Sequence, residues 1–454
     1  KISIMKKIIF SLSLAISCLN INATDLFVYP GGTSPDFNSI AMAVDSASDG
    51  DRILVSNGSY FGDVTIDEKS ISILPVVSLN SYTIQGDIIF KRNTSGGTAK
   101  LVTISSAEII GDFEYQGNVA FPYEINIINC NSFGTINLKA DNIITNIYYS
   151  TFYNSIYLNA SFEIVGNTFE SSSSSIDTFF VEDANWNIGG SLASSTIKVF
   201  ANHFKNYQLK CDLAANSMLS KIHIANNYMN FTVTSSISLL DLNGPSTNCL
   251  IENNTLSDVS QSTHSQYSGD ILKSSNGMVL LEIRNNLILS GYWVNSSSSN
   301  YSYAAFNFYP SGRGTILKLE NNFFNNNSIT ISGNVNASYS AYFYSTPYST
   351  VLNDNVFSTA YSLNSTLILN DTSGIPSAGV LTLTEDVGKD IMECRDIDDT
   401  QNDIGPWGGP HSWENYHLNS LGSAKVIDID INSSINSITN GSLNIKAKSV
   451  NTNQ

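Results

Sequence analysis

The sequence predicts an all-β solenoid, a fold in which short strands stack coil on coil around a continuous core. Three observations carry this expectation: a six-residue phrase that returns along most of the chain, strict in–out alternation within it, and an amphipathic segment ahead of the first strands. The phrase is an aliphatic residue, two variable positions, Asn, one variable position and a large apolar residue. It reads INCNSF (Ile128–Phe133), IYYSTF (Ile147–Phe152, with Ser for Asn), IVGNTF (Ile164–Phe169), VFANHF (Val199–Phe204) and IANNYM (Ile224–Met229). It continues as IENNTL (Ile251–Leu256), IRNNLI (Ile283–Ile288), LENNFF (Leu319–Phe324) and LNDNVF (Leu352–Phe357). The Asn column therefore falls at 131, 150, 167, 202, 227, 254, 286, 322 and 355. Short intervals imply tight coils, and long ones imply coils with a protruding loop.

Within the phrase, positions −5 and −3 from the Asn are apolar and expected inside, while −4 and −2 vary and are expected outside. The Asn itself is expected at the turn, where its side chain can bond backbone and its neighbours above and below at the strand spacing of about 4.8 Å. Before the repeats, Phe37, Ile40, Ala41 and Val44 share one helical face, between a start signal at Ser34–Asp36 and a stop at Gly50. A helix there would close the open end of the solenoid. GDRILVSNGSY and VTIDEKSISIL follow as short strands broken by Gly and Asn.

Composition narrows the class of function. With 13% charged residues, 42% hydrophobic residues, 22 Tyr and 22 Phe, the chain is not a disordered polymer. A net charge of −17 without a basic patch argues against nucleic acid and anionic membranes. It also makes an acidic polysaccharide an awkward ligand unless a cation bridges the two. Met5, Lys6 and Lys7, the apolar run Ile8–Ile16 and a small-residue exit at Ala23 read as an export signal over residues 1–23. Lipid attachment at Cys18 is the weaker alternative. No other run is long and apolar enough to span a bilayer. The spacing of Cys130, Cys211, Cys249 and Cys394 fits no zinc site, and Cys249 falls at a core position.

The Asn column, the cap segment and the coil lengths together resemble the right-handed parallel β-helix proteins of the pectin-lyase-like superfamily. The resemblance covers roughly residues 24–413. It implies a right-handed parallel β-helix over 24–420, including a closing segment near ECRDIDDTQNDIGPWGGPHSW (Glu393–Trp413), and a β-rich tail over 421–454 whose runs KVIDIDI and SLNIKAKSV suit a hairpin or the start of a further module. It also implies that a substrate would lie along the first strand of each coil, placed near Phe179–Val181, Ile237–Leu242, Ile271–Lys273, Ala305–Phe308 and Ala341–Tyr344.

Four constellations follow. Glu252, Arg284 and Glu320 at −2, with Glu282 and Lys318 at −4, read as an outward ladder of alternating charge with a structural role, as do His223 and Glu163. Along the first strands, Lys273 is the candidate base, Arg313 the neutraliser of a developing enolate, and Asp241 a ligand for substrate or Ca²⁺, the set a β-elimination lyase requires. Asp183, Asp241 and Asp270 would instead serve a glycoside hydrolase. Asp183, Asp270, Trp293, Tyr309 and Tyr344 are the candidate sugar contacts, within an aromatic-rich stretch from Tyr292 to Tyr348. Asp396, Asp398 and Asp403 are candidate Ca²⁺ ligands in the closing segment. The expectation is a secreted or cell-surface monomer that binds or cleaves an extracellular polysaccharide or surface glycan, a lyase before a hydrolase. The alternative is a non-catalytic adhesive solenoid.

Overall fold

The computed structural model describes residues 23–31, 36–77, 80–92, 99–117, 123–140, 143–159, 162–171, 176–182, 196–212, 221–231, 237–243, 248–258, 272–275, 280–290, 306–309, 316–325, 341–343, 349–353, 356–358, 386, 396, 401–412, 424–431 and 445–451. The chain winds into a right-handed parallel β-helix of three sheets with 13, 12 and 11 strands. Each coil visits the 11-stranded sheet first, then the 13-stranded sheet, then the 12-stranded sheet. The pairing within all three is parallel, and each strand bonds its equivalent in the coils before and after. Alternation puts Ile125, Ile127, Ile147, Ile164, Val199, Ile224, Ile251 and Ile283 at 0% exposure, in one core that runs along the axis.

The helix ahead of the coils spans Ile40–Ser46 and buries Ile40, Ala43 and Val44 against the first strands. It is shorter than expected. Phe37 forms a parallel bridge to Val28 instead of a helical turn, and Ser39 occupies the N-cap.

The Asn ladder forms as expected from Asn167 onward. Asn167 Nδ2 donates to Asn202 Oδ1 at 2.9 Å, Asn202 to Asn227 at 3.0 Å, Asn227 to Asn254 at 2.9 Å, Asn254 to Asn286 at 3.0 Å, and Asn286 to Asn322 at 2.9 Å. Each side chain also donates to a strand carbonyl, as Asn227 Nδ2 does to Val199 O at 2.8 Å. Two details correct the sequence reading. The residue with left-handed backbone is the one before the ladder Asn: Asn226 (φ 57), Asn253 (φ 54), Asn285 (φ 55) and Asn321 (φ 52). This explains the repeated Asn-Asn, since Asn tolerates that conformation better than other side chains. The first phrase is also out of register by one. Ile127 pairs with Ile147, so Cys130 stands in the ladder column beside Ser150, and Asn131 is exposed. Cys130 fills the ladder role: its amide donates to Ser150 Oγ at 3.0 Å and its thiol to Ile128 O at 3.3 Å.

A second ladder was not anticipated. Where the 12-stranded sheet turns into the 11-stranded one, Gly62-Asp63, Gly86-Asp87 and Gly111-Asp112 stack. Asp63 Oδ1 accepts Asp87 N–H at 3.0 Å, Asp87 Oδ1 accepts Asp112 N–H at 2.8 Å, and Asp112 Oδ1 accepts Thr135 N–H at 2.7 Å. Glycine is required because a Cβ at Gly86 would sit 2.5 Å from the Gly62 carbonyl.

The closing segment lies along the side of the helix. Residues 401–412 form a strap across the outside of the turn that bears the left-handed Asn residues. Asn226 Nδ2 donates to Pro406 O (3.0 Å) and Gly408 O (2.6 Å), and Asn253 Nδ2 to Asn402 Oδ1 (2.7 Å) and Asp403 O (2.8 Å). Gly405 N–H donates to Asn285 O at 2.9 Å. His411 stacks on Phe200 with centroids 4.3 Å apart, and Trp407 packs on a cluster of Tyr148, Val165, Phe200, Ala201, Ala225 and Tyr228. Position −2, expected outside, is buried from Val165 to Glu320, and the strap packs on its members Val165, Phe200 and Ala225. The tail forms an antiparallel hairpin of Ala424–Ile431 and Ile445–Asn451. Among the described residues, no helix is long and apolar enough to cross a membrane.

Candidate functional site

The outer face of the 11-stranded sheet is the one the resemblance singles out. Its inward residues are Leu158, Phe179, Leu209, Cys211, Leu240, Leu242 and Leu272, all fully buried. Alternation therefore turns Tyr157, Phe180, Lys210 and Asp241 outward, each partly exposed. These four share one register column: Tyr157 pairs with Phe180, Phe180 with Lys210 and Lys210 with Asp241. The backbone pairing continues the column through Lys273, Asn307 and Tyr342. Each step is about 4.8 Å along the axis. Lys210 Nζ lies 5.2 Å from the Phe180 ring centroid, and Lys139 Nζ lies 5.9 Å from that of Tyr157. The two rings meet edge-on, 6.1 Å apart.

Two of the three residues chosen as a lyase set, Lys273 and Asp241, are thus register neighbours on adjacent strands. Tyr309 lies in the adjoining column with Ser275, Asn243 and Asp212. Arg313, Asp183, Asp270, Trp293, Tyr344 and Asp398 lie outside the described residues. Sequence reasoning missed Lys210, Phe180, Tyr157 and Lys139. The alternation in YQLKCD carried the signal for Lys210, because Leu209 and Cys211 are core and their neighbour must face out. Beneath this face, burial, with Asp241 and Asp212 nearby, pushes the Cys211 thiol up to about 12. Burial likewise pushes Cys130 up to about 12 and raises Cys249. These three free, buried cysteines behave as small apolar residues at neutral pH.

The charged residues at −2 and −4 pair across coils as the alternating signs imply, Glu252 with Arg284 and Glu282 with Lys318, but the −2 members differ from the sequence reading in burial. Glu252 is 6% exposed, Arg284 9% and Glu320 8%, so the −2 positions are buried, whereas Glu282 and Lys318 at −4 stay partly exposed. Glu252 accepts from Arg284 Nε at 2.7 Å and shares a 2.7 Å hydrogen bond with His223 Nε2. Arg284 also reaches Glu282 at 3.1 Å, and Lys318 stands 3.7 Å from Glu282. Burial acts to raise the Glu252 pKa, but the bonds and charges of His223 and Arg284 outweigh it and hold the carboxyl at about 2. The folded value lies below the unfolded one, so ionised Glu252 stabilises the fold above pH about 4.3, and this contribution disappears as pH falls toward 2. The expected size is on the order of 3 kcal/mol. Unfolding stability measured across that window should fall in the wild type and stay flatter in Glu252→Gln. Parallel curves would refute this assignment.

Of the candidate metal ligands, Asp396 and Asp403 are engaged with backbone. Asp396 accepts N–H groups of Asp403 (3.1 Å) and Gly409 (2.5 Å), and Asp403 Oδ1 accepts Asp386 N–H at 2.7 Å. Among the described residues, no group of three His, Cys, Asp or Glu side chains is placed to hold a metal ion.

No protein-family model matches the chain, and no curated protein matches it. Among solved structures it is similar to that titled "Crystal structure of pectate lyase Pel9A", at 13% identity, with 86% of this chain and 98% of that chain covered and a TM-score of 0.35. The three parallel sheets and the Asn ladder define the fold: a parallel β-helix.

Proposed function

We propose that the outer face of the 11-stranded sheet is a groove for an extracellular acidic polysaccharide, which the protein binds and cleaves by β-elimination. The observation that carries this reading is the register column Lys210–Asp241–Lys273, which aligns two lysines and an aspartate on consecutive coils of one sheet. Elimination needs a base for the proton α to a uronate carboxyl and a positive charge to hold the resulting enolate. Lys273 takes the first role and Arg313 the second. Asp241 orients substrate, and Asp183, Asp270, Trp293, Tyr309 and Tyr344 are the proposed sugar contacts. A lysine is a base only as the free amine, and a neighbouring carboxylate favours the ammonium instead. Ca²⁺ held by Asp241 would neutralise that carboxylate and bridge to the substrate's own. Ca²⁺ held by the closing-segment carboxylates Asp396, Asp398 and Asp403 would have to displace the amides Asp396 now accepts. The export signal over residues 1–23 puts this activity outside the cell.

The test is a screen of the protein from Thr24 onward against uronate-containing and neutral polysaccharides, with and without Ca²⁺. It follows the absorbance of unsaturated products and, separately, new reducing ends. Absorbance that grows with wild type and vanishes with Lys273→Ala supports the lyase. Reducing ends without absorbance would move the reaction to hydrolysis and the search to Asp183, Asp241 and Asp270. Binding or inertness without either product would leave the adhesive solenoid as the function.

A further inference from the structure

We propose that Tyr157, Phe180, Lys139 and Lys210 form a separate subsite that holds an anionic sugar ring several units away from the reacting bond. This rests on the groove reading above for its ligand, and it adds a site to which no reacting residue belongs.

Two features make these residues unusual on a sheet face. Phe180 and Tyr157 are large aromatic rings on the outward side of a sheet whose core is already filled by Ile156, Leu158 and Phe179. Each ring also carries a lysine ammonium at its own edge of the patch, Lys210 at 5.2 Å and Lys139 at 5.9 Å. The packing explanation is a cross-strand aromatic pair with lysine stems laid over it. That accounts for the ring contact but not for the recurrence of an ammonium at both rings. The pairing of a ring face with a fixed cation suits one ligand chemistry. A sugar ring sets its C–H face on an aromatic ring, and a ring carboxylate meets the adjacent ammonium. A neutral sugar would use the rings alone, and a small anion the lysines alone.

The register gives the distance. From Phe180 the column passes Lys210 and Asp241 to reach Lys273, three coil steps or about 14 Å, and Tyr157 adds a fourth step. A polysaccharide lying parallel to the helix axis would thus need several sugar units to touch both the subsite and Lys273. Short oligomers seated at Lys273 would not reach Phe180. The subsite therefore makes a specific demand: its contribution must depend on chain length.

The experiment measures binding of oligo-uronates from dimer to octamer, and of neutral oligomers of matched length, by calorimetry. It uses the full chain and the variants Phe180→Ala, Lys210→Gln and Lys273→Ala, each first checked for an unchanged melting profile. The expected result is an affinity for the octamer about tenfold weaker in Phe180→Ala and in Lys210→Gln, with dimer affinity unchanged and neutral oligomers indifferent to Lys210→Gln. Lys210→Gln keeps the test valid if Phe180→Ala fails to fold. Octamer affinity unchanged in both variants, while Lys273→Ala weakens it, would overturn the subsite and leave the groove standing. Equal losses for dimer and octamer would overturn the separation from the reacting centre. No binding of any oligo-uronate to the wild type would overturn the subsite together with the groove.

Discussion

Asn227→Ala should destabilise the protein by about 3–6 kcal/mol, measured by chemical or thermal unfolding. Asn227 accepts the amide of Asn202 and one of its side-chain N–H groups, both on Oδ1. It donates to Asn254 Oδ1, Val199 O and Ala225 O from Nδ2, and its own amide donates to Asn254 Oδ1. All of these groups are sealed from water, since Asn227 and its ladder neighbours are 0% exposed. Alanine removes the partner of the Asn202 amide and of two strand carbonyls without letting solvent in. Each buried polar group so orphaned costs about 1–3 kcal/mol. The two substitutes the chain already uses in this column, Ser150 and Cys130, set a rank order. Asn227→Ser keeps one donor and one acceptor and should be milder than Asn227→Ala. Equal stability of the alanine variant and the wild type would mean that the ladder contributes shape and no energy.

Gly408→Ala should release the strap. A Cβ there would lie 2.5 Å from Asn402 Oδ1 and 2.6 Å from Asn253 Nδ2, and would collide with the carbonyl of Asp403. Those three groups make the contact between strap and wall, so no side chain can turn aside to accept the methyl. Release would expose the cluster of Val165, Phe200, Ala201 and Ala225. The expected observations are protease cleavage within residues 401–412 under conditions where the wild type is resistant, loss of amide-exchange protection at Asn226 and Asn253, and a lower melting temperature. A variant with unchanged protection would show that the strap tolerates the shift or contributes little to the wall beneath it.

Much of this architecture was legible because a β-helix repeats its physics in every coil. Ile164, Val199, Ile224 and Ile251 are core for the same reason, so the pattern reports itself again and again. The failures fall where that repetition lapses. INCNSF matches the phrase letter by letter, yet Ile127 and not Ile128 faces the core, and only the cross-coil pairing reveals the shift. FGDV, QGDI and IGDF recur at the second turn and were readable, but the stronger Asn signal masked them. The strap was illegible in principle. Its bonds join residues from 120 (405 − 285) to 182 positions apart, and contacts of that span leave no periodic trace. The burial of Glu252 and Arg284 at −2, a position that alternation turns outward, was likewise not readable from the repeat. On the groove side, Asp241 and Lys273 were found as polar residues on expected strands. Lys210 was passed over because its strand was not among those placed in advance, and Phe180, although on the expected strand Phe179–Val181, because only polar residues were drawn from those strands.

The strap also bears on the order of events in folding. A coil can form as soon as its neighbour exists, because its partners lie only one turn of chain away. The strap has no binding surface until the turns at Asn226, Asn253 and Asn285 are stacked, and it must then return across some 150 residues of finished wall. Such contacts are absent when the rate-limiting coils assemble and present only in the completed molecule. Weakening them should leave the folding rate nearly unchanged and speed unfolding. In kinetic terms the strap is a brake on disassembly, which extends the lifetime of the native helix without hastening its birth.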